Sequence, residues 1–209
     1  MIRASVSNQI YCIVRDQILS GEYPLGSYIN IAQMCTELGV SNTPVREALT
    51  KLESEGLLVK TGNKYKLIEI SEKRNNDMDQ FMKISVLGAF ELCVEKQKLD
   101  ELYLALVEAY RKQSELFNSS DYASYVRSAI DFDRVFFIVA DNSFLLSTLE
   151  NITAIFTLMV FNKHRSDQRS NFEEHAAILE AIRQKDVERA RRLLREHYNK
   201  PLDKSPTGA

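Results

Sequence analysis

Glycine and proline are scarce: the 209 residues include 7 Gly and 4 Pro. A turn-rich all-β fold draws heavily on both, so that class is disfavoured and helices are expected to dominate. Cysteine is scarce as well. Cys12, Cys35 and Cys93 are odd in number and far apart, a pattern that suits neither a disulfide framework nor a zinc finger and reads as three buried thiols in a cytoplasmic protein. No run approaches the ~18 consecutive apolar residues of a membrane span. The N-terminal MIRASVSNQIYCIVRDQ has no secretory apolar stretch either. The expected location is therefore cytoplasmic, with no membrane partner. A large excess of one charge is also missing, with 27 Lys+Arg against 29 Asp+Glu and a net charge of −2. That excludes a generic polyanion binder but leaves room for a local basic face.

What is present is an ordinary globular composition, 44% hydrophobic and 27% charged, on a length that suits one large domain or two small ones. Charge divides unevenly. Residues 1–74 hold nine Lys/Arg and eight Asp/Glu, net +1, which leaves 18 and 21, net −3, for residues 75–209. The polar segment SEKRNND has no apolar periodicity and reads as a linker over 71–77. The predicted organisation is a first domain over 1–70, the linker, a helical second domain over 78–199, and a flexible tail over 200–209.

In the first part, Ile10, Ile13, Val14, Gln17 and Ile18 follow helical spacing, and a second short helix carries Ile31, Met34, Cys35 and Leu38 on one face. After the turn Leu38-Gly39-Val40-Ser41, a third helix starts with Ser41 or Thr43 as cap and Pro44 in its first turn. LLVK (57–60) and KYKLIEI (64–70) flank Thr61-Gly62-Asn63 as a small hairpin. Helix, helix, tight turn, helix, hairpin is the order of a winged helix-turn-helix. The third helix would then present Ser41, Asn42 and Thr43 at its N-terminal turn, where free N–H groups favour phosphate. Arg46 lies one turn further on, the residue type that reads guanine O6 and N7 bidentately. Lys60, Lys64 and Lys66 on the hairpin would meet backbone phosphates.

The run ILSGEYPLG…LGVSNTPVREALTKLESEGLL resembles the DNA-binding domain of GntR-type bacterial transcription regulators over roughly residues 9–68. The resemblance implies that Ser41, Asn42, Thr43 and Arg46 face DNA. The family usually has Arg where this chain has Asn42, and a Gly-x-Gly wing tip where it has Gly62-Asn63-Lys64. Asparagine pairs with adenine N6 and N7, so the departure points to a different operator.

From Asp77 onward the pattern is helix after helix, roughly 77–97, 99–118, 121–140, 143–163, 171–184 and 186–199, with short breaks that imply an antiparallel all-α bundle. AIDFDRVFFIVADNSFLL and EEHAAILEAIRQKDVERARRLLREHY resemble the ligand-sensing (FCD-type) domain of the FadR-like branch of the same family. Many members hold a metal there through an Asp and a His one turn apart and two further His. His175 and His197 match the last two. Anchoring on Phe132, Arg134 and Asn142 puts Asp133 where the first His would be and Ala129 where the Asp would be. Asp133, His175 and His197 form a two-His, one-carboxylate set competent for one divalent ion (Zn, Ni or Mn) per chain. Lys83 falls where the family often carries a ligand-facing Arg, and Arg134 adjoins the pocket helix; both are effector-binding candidates. His164 reads as a solvated helix end.

The expectation is a mostly α, dimeric, cytoplasmic repressor. Its two-fold symmetry would match a palindromic double-stranded operator, and a small carboxylate effector would modulate its affinity. The alternative is a DNA-binding regulator whose second domain is a ligand-free scaffold. An enzyme is not expected, because no nucleophile–base pairing or general-base Glu stands at motif spacing.

Overall fold

A computed structural model describes residues 5–163 and 168–199. His164 and the segment expected as a tail lie outside the described residues. The described chain falls into two compact units, the first built from residues up to 71 together with 151–162, the second from 72–150 and from 163 onward.

The first unit starts with α1 (Val6–Leu19), α2 (Ile31–Leu38) and α3 (Asn42–Ser54), followed by β1 (Leu58–Thr61) and β2 (Lys64–Leu67). Side-chain caps set two of the helix starts: Ser5 accepts from the Asn8 amide and Asn30 from the Gln33 amide, each satisfying an N–H that the helix leaves open. Gly39 ends α2 at φ 65°, a left-handed conformation that costs other residues about 1 kcal/mol or more. The turn that follows points α3 outward, with Val40 packed partly buried against the core. Ile10, Val14 and Ile18 of α1 pack with Val45, Leu49 and Leu52 of α3 and with Leu57, Tyr65 and Leu67 around the hairpin. β1 and β2 pair antiparallel, Leu58 opposite Leu67 and Thr61 opposite Lys64. The α1–α2 connection closes the outer edge of β2 through Ile29 N to Tyr65 O and Leu67 N to Ser27 O. β1 is as long as the run expected from sequence but lies one residue further on, while β2 ends at Leu67, short of the expected Ile70.

This unit has a further component that the winged helix-turn-helix pattern does not announce. Ala154 and Leu158, from the second half of α7 (Ser143–Lys163), are buried in the same core. The stretch Ser143–Asn162 is long and apolar enough to cross a membrane by length and composition alone, with mean hydropathy 1.7. A third of that stretch is buried within the protein.

The second unit contains α4 (Glu72–Glu95), α5 (Leu99–Leu116), α6 (Tyr122–Ala140), the start of α7, α8 (Gln168–Arg183) and α9 (Val187–His197). The segment expected as a linker over 71–77 is instead helical from Glu72 onward. Polarity there marks a solvated first turn of a helix, and Lys73 pairs with Asp77 along it. Helix α6 is the buried centre, packed on α4, α5 and α8, while α9 packs on α4 and α8. Phe132, Phe136 and Phe137 of α6 are almost fully buried. Of the three thiols expected to be buried, Cys93 is buried but Cys12 is exposed. Lys96 donates to the Ala140 carbonyl at 2.7 Å and Lys98 to that of Val139 at 3.2 Å, so two ammonium groups meet the negative end of α6. Arg191 of α9 grips Glu91 of α4 through two bonds of 2.6 and 2.8 Å.

The contact of α7 with the winged helix is testable at glycines. Gly21 has φ +79°, and a Cβ there would stand 2.5 Å from Cε1 of the Phe161 ring; Gly39 also has positive φ, but its added Cβ would meet nothing within 4 Å. Gly39→Ala is expected to cost about 1 kcal/mol from the backbone alone. Gly21→Ala should cost about 1–3 kcal/mol more, because the ring must shift. Denaturant midpoints of the two variants make the comparison, and equal losses would remove the α7 packing term.

Candidate functional site

Two groups of side chains carry the chemistry, one in each unit. In the first unit, Ser41, Asn42 and Thr43 are exposed at the start of α3, and Arg46 is half-buried one turn on. Ser41 is the N-cap by position, but its side chain makes no capping hydrogen bond. The first N–H groups of α3 therefore keep their capacity for an outside acceptor. Arg46 Nε donates to Asn42 Oδ1 at 2.5 Å, and its Nη1 stands 3.5 Å from the Asn63 carbonyl oxygen at the hairpin tip. The three hairpin lysines differ. Strand alternation puts Lys60 on one face and Lys64 and Lys66 on the other. Lys60 stands 5.8 Å from the Tyr65 ring centre and Lys64 5.6 Å from that of Tyr28, while Lys66 is already engaged by Glu69. Thr50 and the Tyr65 hydroxyl, 2.9 Å apart, tie α3 to β2.

In the second unit, α6, α8 and α9 bring Asp133, His175 and His197 together, with one potential ligand atom from each lying within 4.8 Å of the others. His175 is fully buried and stacked on Phe132 at 4.1 Å between ring centres. Its Nε2 faces the Asp133 carboxylate at 3.9 Å, and its Nδ1 meets Gln113 Oε1 at 2.8 Å. Neighbours fix the direction of that last bond. Tyr125 donates its hydroxyl to the Gln168 carbonyl at 2.9 Å, and the Gln113 amide nitrogen donates to Tyr125 Oη and Asn171 Oδ1, each at 3.2 Å. Gln113 therefore offers its carbonyl oxygen to His175, which must carry its proton on Nδ1 and its lone pair on Nε2. His197 repeats the arrangement, with Nδ1 2.7 Å from Glu174 Oε2, an oxygen that can only accept when ionised. An imidazole whose far nitrogen is held by an amide or carboxylate oxygen is the usual setting of a metal-ligating histidine.

Burial pushes the Asp133 carboxyl up from 3.8 to about 6, against the opposing pull of His197 and the Tyr198 hydroxyl. Tyr198 is raised well above its usual value, first by its own burial and then by Asp133. The donor set fits a divalent cation: two imidazole nitrogens and one carboxylate in a site that costs a bare carboxylate dearly.

The remaining candidates do not join this cluster. Lys83 donates to Asn199 at 2.8 Å, just past the end of α9. Arg134 leaves the buried face that Asp133 occupies and pairs with Glu150 at 2.9 Å. It lines a surface groove of about 680 Å³ between α5 and α6, with Lys112, Arg127 and Asp131. Sequence reasoning missed Gln113 and Glu174. A signal for the first was available, since Gln113 continues the buried stripe Leu102, Leu106, Ala109 of α5, where a polar residue needs a partner.

Comparison with known proteins agrees with both units. Residues 6–64 match the profile of the bacterial regulatory proteins of the gntR family, and residues 88–200, more than half the chain, match the FCD domain. The chain belongs to the GntR family, with an FCD domain as its second part. It is a DNA-binding transcription regulator and not an enzyme. It is 25% identical over 197 residues to the HTH-type transcriptional regulator YdhC of Bacillus subtilis (strain 168), covering 91% of this chain and 87% of that one. It is 21% identical to the gluconate operon transcriptional repressor of Bacillus licheniformis, covering 94% and 84%. Among solved structures, E. coli McbR/YncC shares the fold at TM-score 0.70 and 23% identity, over 93% of this chain and 94% of that one. A GntR regulator from Rhodococcus sp. RHA1 does so at 0.77 and 14%, with the same coverage.

The raised Asp133 value gives this GntR–FCD regulator a pH-dependent weakness. A carboxylate whose folded value lies above its unfolded one weakens the fold progressively as pH climbs from 3.8 to about 6, and by a constant amount above that. At about 1.4 kcal/mol per pH unit the full effect is ~3 kcal/mol. Chelator-treated Asp133→Asn is therefore expected to melt above the wild type at pH 8, with the gap closing toward pH 4. Added zinc or nickel should raise the melting temperature of the wild type and leave that of the variant unchanged. A gap independent of pH would contradict the buried charge.

Proposed function

We propose that the protein is a cytoplasmic, dimeric repressor whose operator affinity is set by a small organic acid bound, with one divalent metal ion per chain, at Asp133, His175 and His197. The observation that carries this reading is the convergence of those three ligand atoms within 4.8 Å, with each histidine oriented from behind by Gln113 or Glu174. A bound cation would supply counter-charge to Asp133 and open positions for a carboxylate effector. Zinc, nickel and manganese each suit a mixed imidazole–carboxylate set. His175 and His197 would hold it through the ring nitrogens that do not face Gln113 and Glu174, and Asp133 would be the anionic ligand.

An acidic effector needs a cation as its partner. Arg134, paired with Glu150, and Lys83, bonded to Asn199, are committed elsewhere, which favours the metal as that partner. The scaffold alternative fares worse on energetic grounds. A domain with nothing to bind gains nothing from burying Asp133, and an apolar residue there would be less costly.

At the DNA, Ser41, Asn42, Thr43 and Arg46 would enter a major groove while Lys60 and Lys64 meet phosphates, with Lys66 contributing only after leaving Glu69. Two copies would cover a palindrome. An effector that prefers the conformer with the wrong spacing of winged helices lowers operator affinity by that preference. Native mass spectrometry with elemental analysis, on protein purified without chelator or immobilised metal, should find a dimer with about one metal per chain. His175→Ala should lose the metal and its thermal stabilisation while keeping operator affinity near that of the wild type. A wild type that is metal-free and gains no stability from added divalent ions would defeat the metal-assisted reading and leave the DNA-binding one intact.

A further inference from the structure

Asn42 and Arg46 stand one turn apart on α3 and are joined, Arg46 Nε donating to Asn42 Oδ1 at 2.5 Å. From the other side, Arg46 Nη1 comes within 3.5 Å of the Asn63 carbonyl oxygen at the tip of the wing. An arginine on a helix surface otherwise samples many rotamers, and fixing them on binding costs free energy. Here the guanidinium is held at its Nε edge by the helix and approached by the wing, so its plane is set before DNA arrives. These two bonds leave Nη2 and the second N–H of Nη1 unused, and the Nη1–Nη2 edge carries the paired N–H groups that match guanine O6 and N7. Asn42 meanwhile directs its carbonyl oxygen at Arg46. Bidentate reading of adenine needs that oxygen as acceptor for the adenine amine.

We infer that Asn42 is a positioning residue: it orients Arg46 toward one guanine and reads no base pair of its own. The inference rests on Arg46 as a base contact and deepens that reading. It assigns Asn42 a role different from the adenine contact that its residue type alone suggests.

The test is selection from a pool of randomised duplexes by the full-length wild type and by R46A, N42A and N42D, followed by competition on the best duplex with single base-pair changes. The base pair read by Arg46 is the one at which R46A loses its preference for guanine. N42A should reduce that guanine preference about fivefold, the effect of one ordinary hydrogen bond, and leave every other pair unchanged. N42D keeps an acceptor for Nε while losing the amide donors and adding a negative charge. It should bind all duplexes more weakly yet keep the wild-type preference for guanine. Full guanine preference in N42A would overturn the inference, as would loss of preference at a different base pair in N42A or N42D, which would make Asn42 a reader. An R46A profile identical to that of the wild type would overturn it at its premise, and that failure is distinguishable because it appears in the Arg46 variant itself.

Discussion

A carboxylate taken out of water has to be protonated or met by positive charge, and in the second unit that demand falls on Asp133. The residue is buried on the central helix of the bundle, and the elements that face it each bring a nitrogen: α8 brings His175 and α9 brings His197. Neither imidazole is left to choose its own proton position. A directed chain runs from the Gln168 carbonyl through Tyr125 and Gln113 to His175, and Glu174 settles His197 from the same helix that carries its partner. Each link is a hydrogen bond of modest net worth, about 1 kcal/mol. Their common effect is to hold both rings beside Asp133. A core built for stability alone would use apolar side chains here. A polar cluster with a raised carboxylate pKa is the kind of place where functional sites concentrate.

The first unit meets a different constraint. A recognition helix must be rigid in a domain too small to bury much, and its start must remain bare to meet DNA. The solution is to anchor α3 away from its reading end. Val45, Leu49 and Leu52 seat it in the core, and Thr50 holds the Tyr65 hydroxyl of the wing. Segment 27–29 closes the outer edge of the hairpin, so the wing is fixed on both sides although it has only two strands. Loss of the side-chain cap at Ser41 is tolerable for the same reason. The helix is held by packing further along its length, which leaves the N–H groups of its first turn open to an outside acceptor.

Legibility in the sequence follows the range of the interactions. Capping residues, turn glycines and the apolar stripes of α1, α2 and α3 act over a few residues, so the winged helix-turn-helix was readable as a whole. Helix ends in the bundle were readable to within a few residues, except at 72–77, where a polar first turn resembles a linker because both are solvated. The site was harder. Asp133, His175 and His197 come from three helices, and periodicity says which face of a helix is apolar but not which neighbour covers it. Resemblance to the family supplied that pairing. The second half of α7 shows the same limit, since nothing in its own pattern says that Ala154 and Leu158 belong to a core formed mostly by the first seventy residues. Arg134 is next to Asp133 in sequence, but one step along a helix turns a side chain by about 100°, enough to take it from the buried cluster to the surface groove.

The magnitudes bear on how such a site regulates. Tight binding of an effector shifts no equilibrium unless its affinity differs between two conformers. A regulator needs a coupling of about 1–3 kcal/mol to change operator affinity 5–150-fold. The cost of the buried Asp133 carboxylate, ~3 kcal/mol for a value raised to about 6, is of that same size. On the reading proposed above, a ligand that neutralised Asp133 more fully in one conformer than in another would supply a coupling of that order, and the flanking histidines would set which ligand could do so.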